Sequence, residues 1–221
     1  QVDAGVYALQ PDALLPLKGR PRLDNVPASD RPMLVFLHGT FVDTASTFSK
    51  LWADHPTQVR ALFTHYDQRV YALDHPTLGA SPIANALTLA KALPQGARLH
   101  LVSHSRGGLV AEVLARVCGR GGELTAQELA VFAGPAHAAH RRELAELATL
   151  VKARGLRVER LVRVACPARG TLLASRRVDA YLSVLRWTLQ LAGVPLAPAL
   201  LDFLGEVARR REDPATLPGL A

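Results

Sequence analysis

Residues 101–110 read LVSHSRGGLV, and this stretch decides the fold class. The stretch ARLHLVSHS over residues 97–105 is predicted as a strand, with apolar residues just before Ser105. Residues 106–117 place apolar side chains at helical spacing, which predicts a helix. A serine, Ser105, stands where the strand passes into the helix.

The residues around Ser105 predict a nucleophile elbow. In such a turn the serine takes a strained backbone conformation, and small residues two positions before and after it let strand and helix pack closely. The usual pattern is G-x-S-x-G, and here Ser103 stands in place of the first glycine while Gly107 keeps the second. The helix that follows directs free N–H groups towards the serine, where they favour a developing oxyanion.

Further strands and helices alternate along the chain, which predicts an α/β fold: a doubly wound, mostly parallel sheet with helices on both faces, incomplete at its C-terminal end. The expected strands are residues 5–9, 33–39, 69–75, 97–105 and 158–167. Thr44 and Thr57 are the expected N-caps of the helical stretch between the second and third strands. The domain organisation is an extended lead-in over residues 1–32 and a core over 33–221, with a helical, cap-like segment at about 176–211.

Polar residues follow three of these strands. His38, Gly39 and Thr40 end one strand and Asp74 ends the next, so both groups share the carboxyl edge of the sheet with Ser105. One oxyanion donor is therefore the backbone N–H of Arg106. The second is the N–H of Thr40, with Phe41 as the alternative.

Four segments together resemble a known family. The sequences FLHGT, ALDHPTLGASPIANA, LHLVSHSRGGLVAEVLAR and VRVACPARGT, within residues 33–175, are similar to the α/β-hydrolase fold. The resemblance is to its lipase-like branch, which includes triacylglycerol lipases and the GPI-inositol deacylase type. It implies a serine hydrolase that cleaves carboxylic esters, small or lipidic, through an acyl-enzyme and without a cofactor.

The resemblance also implies roles for individual residues. His38 and Gly39 form the oxyanion-loop motif, Ser105 is the nucleophile, and Asp74 is a structural residue after a strand. Cys166 begins the segment CPARGT, which resembles a segment lining the acyl site, with Ala168 where the family has histidine. The expected site-lining residues are His38, Gly39, Asp74, His104 and Cys166.

The sequence leaves open which acid and which histidine would act with Ser105. In this fold the chain order is serine, then acid, then histidine, yet no histidine follows His140. Three explanations remain open: the acid and histidine lie beyond Ala221, His137 or His140 folds over Ser105, or the domain is a non-catalytic binding module. The first explanation also makes other domains of a longer parent chain its partners.

Composition excludes several other classes. The net charge is +7, but the arginines are scattered without interleaved aromatic residues, so no nucleic-acid partner is expected. No apolar run is long enough to span a bilayer. The apolar stretch 181–208 favours a cap over the site or burial in the core, with membrane-surface contact as an alternative. Histidine spacing predicts no metal site, and two cysteines with no signal segment favour the cytoplasm.

Overall fold

A computed structural model describes residues 3–165 of the chain. Their five strands form one mixed sheet in the order β1-β3-β2-β4-β5, in which β1 runs antiparallel to β3 and every other pair is parallel. The α/β class and the mostly parallel sheet are thereby confirmed. The strands are β1 (Gly5–Ala8), β2 (Met33–Leu37), β3 (Val70–Asp74), β4 (Arg98–His104) and β5 (Arg157–Val164).

Helices connect the strands. They are α1 (Thr44–Asp54), α2 (Pro56–His65), α3 (Pro82–Ala92), α4 (Gly107–Gly119), α5 (Ala126–Val131) and α6 (Ala138–Arg154), with a 3₁₀ turn at Pro135–His137. Side chains of α1 and α2 pack on one face of the sheet, and side chains of α3, α4 and α6 pack on the other. Helices therefore cover both faces, as the doubly wound arrangement predicts.

Strand β2 explains why its sequence is apolar throughout. Its five residues are all buried, with Val35 and Leu37 in the cluster beneath α3 and α4, and Leu34 and Phe36 in the cluster beneath α1 and α2. Alternate side chains of a strand point to opposite faces, so a strand covered on both sides needs an unbroken apolar run. Full burial of a side chain such as that of Phe36 contributes about 1.5–3 kcal/mol.

The N-terminal segment belongs to the core. Strand β1, expected from residues 5–9, pairs with β3 in the register Val6 to Leu73. The side chains of Val6, Leu17 and Val26 are each at most 3% exposed. Residues 3–32 therefore supply an edge strand and part of the packed interior.

Both expected N-caps are wrong. Helix α1 is capped by Asp43, whose carboxylate accepts from the N–H of Ser46, and Thr44 is the first helical residue. The Thr44 hydroxyl instead donates to Asp74, 30 residues away in sequence. Helix α2 begins at Pro56 after His55, and no side chain caps it. Proline favours the first helical position because its missing N–H would be unsatisfied there in any case.

Two expectations fall on residues that the structure does not describe. Cys166 and the cap-like segment 176–211 both lie outside residues 3–165. Within that range, no helix has the length and apolar character required to cross a membrane. Cys118, in α4, is a buried free thiol, and burial raises its pKa to about 12.

Candidate functional site

The turn between β4 and α4 has the geometry of a strained elbow. Ser105 has φ 50°, in the left-handed region that L-residues other than Asn and Asp rarely enter. Its own N–H donates to the carbonyl of Val164 on β5 at 3.0 Å, and its carbonyl accepts from Gly108 at 3.0 Å. Both bonds fix the turn, so the side chain of Ser105 is held beyond the end of the sheet.

Gly107 lets helix α4 approach strand β2. A Cβ atom at this position would lie 2.5 Å from the carbonyl oxygen of Leu37 and 2.6 Å from that of His38. Real Cβ atoms essentially never come that close to backbone oxygen, so only glycine fits. Ser103 is fully buried, and its hydroxyl donates to the carbonyl of Val162 at 3.3 Å. Small residues on both sides of Ser105 therefore have the packing reason that the sequence predicted.

The loop after β2 lies directly against this elbow. A Cβ atom on Gly39 would lie 3.0 Å from the Cβ of Ser105 and 3.0 Å from Nδ1 of His104. Strands β2 and β4 are neighbours in the sheet, and their following helices cover opposite faces. In open α/β sheets the carboxyl ends of two such strands bound the usual ligand-binding crevice.

His38 holds the loop peptide in place. Its Nδ1 lies 2.9 Å from the carbonyl oxygen of Gly39, and its Nε2 lies 3.1 Å from the backbone N–H of His75. A carbonyl only accepts and an amide only donates, so these partners assign the neutral ring with the proton on Nδ1. The carbonyl of Gly39 and the N–H of Thr40 belong to one peptide plane, so His38 also orients the Thr40 N–H.

The structure separates the two alternatives for the second oxyanion donor. The N–H of Phe41 donates to the hydroxyl of Thr77 at 3.2 Å. Among the described residues, the N–H groups of Thr40 and Arg106 have no such acceptor. Thr40 is thus the stronger candidate, and Phe41, with φ 62°, helps to shape the loop.

Asp74 serves the framework. Its carboxylate is 3% exposed and accepts from the N–H of Thr44 at 3.0 Å and from the Thr44 hydroxyl at 2.6 Å. Nε2 of His38 lies 3.4 Å away. The carboxylate therefore anchors the start of α1 to the end of β3, which agrees with its expected structural role.

Three buried side-chain nitrogens near Ser105 have no hydrogen-bond partner. They are Nε2 of His75, Nδ1 of His104 and Nε of Arg106, and no other buried side-chain atom of residues 3–165 shares this state. Buried polar groups are normally satisfied, so a concentration of exceptions at one edge of a sheet is typical of a functional site. The sequence places His75 at the end of a strand but gives no role to it or to the side chain of Arg106, although both stand beside the motifs.

Burial keeps the two histidines neutral. The pKa of His75 is lowered to about 3, mainly by desolvation and next by His38, whose ring stacks on it at 4.1 Å. The charge of Arg106 acts in the same direction, while the hydrogen bond to the Leu73 carbonyl opposes the shift. Burial also lowers the pKa of His104, with His38 as the second cause.

His137 and His140 lie elsewhere on this edge. Their rings stack at 6.0 Å, and each packs against Phe132 at 6.1 Å. Neither ring hydrogen-bonds to Ser105 within the described part of the chain. One hydrogen bond links α6 to the start of α3, because Glu143 of α6 accepts from the hydroxyl of Ser81.

Comparison with known proteins gives one match. The family model described as a domain of unknown function, DUF7379, matches residues 17–140, more than half of the chain. The chain belongs to the DUF7379 family. No curated protein and no solved structure matches it. The part matched to DUF7379 contains β2, β3, β4 and α4, and with them the whole elbow and the loop that faces it.

No metal centre is present in residues 3–165 of this DUF7379 protein. No three His, Cys, Asp or Glu side chains there are grouped so that they could hold an ion. The chemistry available at the edge is therefore a strained serine, two backbone N–H groups, neutral imidazoles and one guanidinium.

Proposed function

We propose that this DUF7379 protein has an α/β-hydrolase fold and is a serine hydrolase that cleaves carboxylic esters through an acyl-enzyme at Ser105. The observation that carries the proposal is the conformation of Ser105. A serine with φ 50° costs about 1–2 kcal/mol relative to a relaxed residue, whereas glycine would remove that cost. A serine at this strained position, where glycine would be more stable, is explained if its hydroxyl takes part in a reaction.

The surrounding backbone supports acyl transfer. A tetrahedral intermediate carries a negative oxygen that needs preorganised donors, which are typically two backbone N–H groups. The N–H groups of Arg106 and Thr40 flank Ser105 and have no acceptor among the described residues. The bond from His38 to Gly39 fixes the peptide that carries the Thr40 N–H. Such fixed donors need no reorganisation when the oxyanion forms.

The reaction then follows from these groups. The Ser105 oxygen attacks the acyl carbon and its proton passes to a histidine, while the carbonyl oxygen takes the negative charge. Collapse of the intermediate breaks the ester bond, and the alcohol leaves with the proton. Water attacks the acyl-enzyme in the same way, which releases the acid and returns the proton to Ser105.

Exposed apolar side chains favour an ester with an apolar part. Leu78, in the loop after β3, is 73% exposed, and Leu109, in the first turn of α4, is 36% exposed. Both stand at the edge that holds Ser105. Single exposed leucines are common on protein surfaces, but two beside a candidate nucleophile fit an acyl chain or an apolar alcohol.

One observation favours a second candidate, a binding module without catalysis. All eight histidines of the chain lie in the described residues, and none hydrogen-bonds to the Ser105 hydroxyl. A serine without a base is a weak nucleophile. In this second case the crevice between β2 and β4 binds an ester-like ligand but does not cleave it.

Labelling with a fluorophosphonate probe separates the two candidates. Intact mass spectrometry would be measured on the wild-type protein, on Ser105→Ala and on the matched control Ser103→Ala. The hydroxyl of Ser103 is two residues away and fully buried, so it is not reactive. We expect stoichiometric labelling of the wild type and of Ser103→Ala, and none of Ser105→Ala.

Absence of labelling in a folded wild-type protein would contradict the hydrolase proposal for these 221 residues and support the binding module. If labelling occurs, the variants His137→Ala and His140→Ala test the base. Loss of labelling in one of them identifies that histidine. Retention in both excludes the two residues from the reaction.

A further inference from the structure

The guanidinium of Arg106 is a partly buried cation, and its residue follows Ser105 directly. Its Nη2 donates to the carbonyl of Ala80 at 3.4 Å, and its Nε is buried without a partner. No carboxylate in the described residues pairs with it. Burial lowers the pKa of the Arg106 side chain, which reflects the cost of holding this charge away from water. Buried charges in proteins are usually paired, so an unpaired one beside a candidate nucleophile calls for a ligand.

The other unpartnered nitrogens lie around the same crevice. His104 precedes Ser105, and its Nδ1 is 3.0 Å from the position that a Cβ on Gly39 would take. His75 stacks on His38, and the charge of Arg106 reaches it, since that charge lowers the pKa of His75. The loop after β3 contributes His75, the end of β4 contributes His104, and the turn after β4 contributes Arg106. Buried polar groups without a partner in the protein are groups that a polar ligand would satisfy.

The chemistry of these groups selects the ligand. The Nε–H and Nη–H groups of arginine donate in a planar fork that matches a carboxylate or a phosphate. Nδ1 of His75 faces the carbonyl of Leu73 at 3.2 Å and so carries the proton, which leaves a lone pair on Nε2. That lone pair accepts from a hydroxyl of the ligand. Two carboxylates lie at this edge, and each accepts a hydrogen bond from a hydroxyl: Asp74 from Thr44 and Glu143 from Ser81.

We propose that Arg106, with His75 and His104 beside it, forms a subsite for an anionic oxygen group, a carboxylate or a phosphate, next to Ser105. The anion accepts from the guanidinium, while the rest of the ligand extends over Ser105. Arg106 as a whole residue is only partly buried, so part of its side chain is open to solvent. As part of a substrate pocket this subsite rests on the proposed function, whereas anion binding itself does not. The preferred substrates are then esters that also carry a negative charge.

Anion binding is tested by calorimetric titration of the 221-residue protein at 0.15 M NaCl, with inorganic phosphate and with succinate as probes. The variants are Arg106→Gln and the matched control Arg142→Gln, which removes the same charge from an exposed position on α6. We expect one saturable site for at least one probe. Loss of a charge-assisted fork should weaken it about tenfold or more in Arg106→Gln and less than about twofold in Arg142→Gln.

Comparison of the probes identifies the source of the anion. Tighter binding of phosphate indicates a phosphate ester as ligand, and tighter binding of succinate indicates a carboxylate. Arg106→Lys keeps the charge but loses the fork, so its loss should be smaller, about threefold. Thermal unfolding establishes that each variant is folded. If Arg106→Gln does not fold, Arg106→Lys provides the comparison with Arg142→Gln.

Two results would overturn the subsite. One is the absence of saturable binding of either anion to the wild-type protein. The other is equal weakening in Arg106→Gln and Arg142→Gln, which would attribute binding to the net charge of +7 alone.

Substrate kinetics separates this inference from the hydrolase proposal. In Arg106→Gln, KM should rise about tenfold more for 4-nitrophenyl hydrogen succinate than for neutral 4-nitrophenyl butyrate, so the ratio of the two KM values reports the subsite. An equal change for both esters would contradict the subsite. Anion binding without fluorophosphonate labelling would retain the anion site and remove the hydrolase. Labelling without anion binding would retain the hydrolase and remove the anion site.

Discussion

Replacing Gly107 by alanine tests the elbow directly. The added Cβ would lie 2.5 Å from the carbonyl oxygen of Leu37, against an ordinary contact of 3.4 Å, so helix α4 has to move by about 0.9 Å, the difference of the two. Strand β2 is the packed centre of the sheet and cannot yield by that amount. Overpacking of this kind costs about 1–3 kcal/mol.

The matched control lies in the same helix. Gly119 is the last residue of α4, and a Cβ there would meet no heavy atom within 4 Å. Gly119→Ala should therefore stabilise the protein by about 0.5–1 kcal/mol, because alanine loses less backbone entropy than glycine. The two substitutions are chemically identical, so the opposite signs would come from packing alone.

Urea unfolding at pH 7.5 provides the free energies, and fluorophosphonate labelling rates provide the geometry. A shift of α4 moves the Arg106 N–H relative to Ser105, and a misplacement of about 1 Å costs on the order of 100-fold in rate. We expect Gly107→Ala to be destabilised and slowly labelled, and Gly119→Ala to be labelled like the wild type. A Gly107→Ala protein as stable as the wild type would refute the close approach of α4 to β2.

Two stability predictions concern the framework of the site. Acidification from pH 7.5 to pH 5 should destabilise the protein by about 2 kcal/mol through His75. The pKa of His75 is about 3 in the folded protein and 6.5 in the unfolded chain. As the pH falls below 6.5, the unfolded chain therefore binds a proton that the folded protein does not. Urea unfolding at both pH values measures this loss. His75→Gln should reduce the dependence of the unfolding free energy on pH, and the exposed control His55→Gln should not. An unchanged pH dependence in His75→Gln would contradict the prediction. Thr44→Val should cost about 1.5–3 kcal/mol, because it removes a buried hydroxyl bonded to the Asp74 carboxylate. Urea unfolding at pH 7.5 measures that loss, and one below about 0.5 kcal/mol would exclude the bond.

The elbow was predictable because its signals are local. An apolar strand, a serine, a glycine pair and an apolar helix follow one another within about 20 residues, from 97 to 117. The structure has β4, Ser105 and α4 in that order. Helix α6 was predictable for the same reason, because its end is marked by a glycine, Gly155. In the structure Gly155 ends α6 with φ 60°, in the left-handed region.

The features that sequence reasoning missed depend on residues far apart in the chain. Thr44 resembles an N-cap, but its hydroxyl donates to Asp74, so the adjacent Asp43 takes the cap. The pairing of β1 with β3 likewise spans more than 60 residues, from Val6 to Leu73, and four residues of strand pattern do not specify a partner. The unpaired state of Arg106 is also a tertiary property, because it depends on which carboxylates the fold brings near.

The hydrogen bonds that the histidine rings make limit which of them can act as a base for Ser105. A histidine accepts the serine proton only through a ring nitrogen with a free lone pair. His38 has neither nitrogen free, because Gly39 and His75 engage both. His100 is also engaged, by the Tyr66 hydroxyl at 2.8 Å and by the Glu159 carboxylate at 3.4 Å.

Position removes one more histidine. His65 is the last residue of α2, which precedes β3, so it lies towards the amino edge of the sheet, opposite Ser105. The remaining five are His75, His104, His55, His137 and His140. Burial holds the pKa of the first two low, so they bind a proton weakly. A general base works best with a pKa near the operating pH. His137 and His140, whose rings pack edge-on against Phe132, are therefore the candidates that the variants His137→Ala and His140→Ala test.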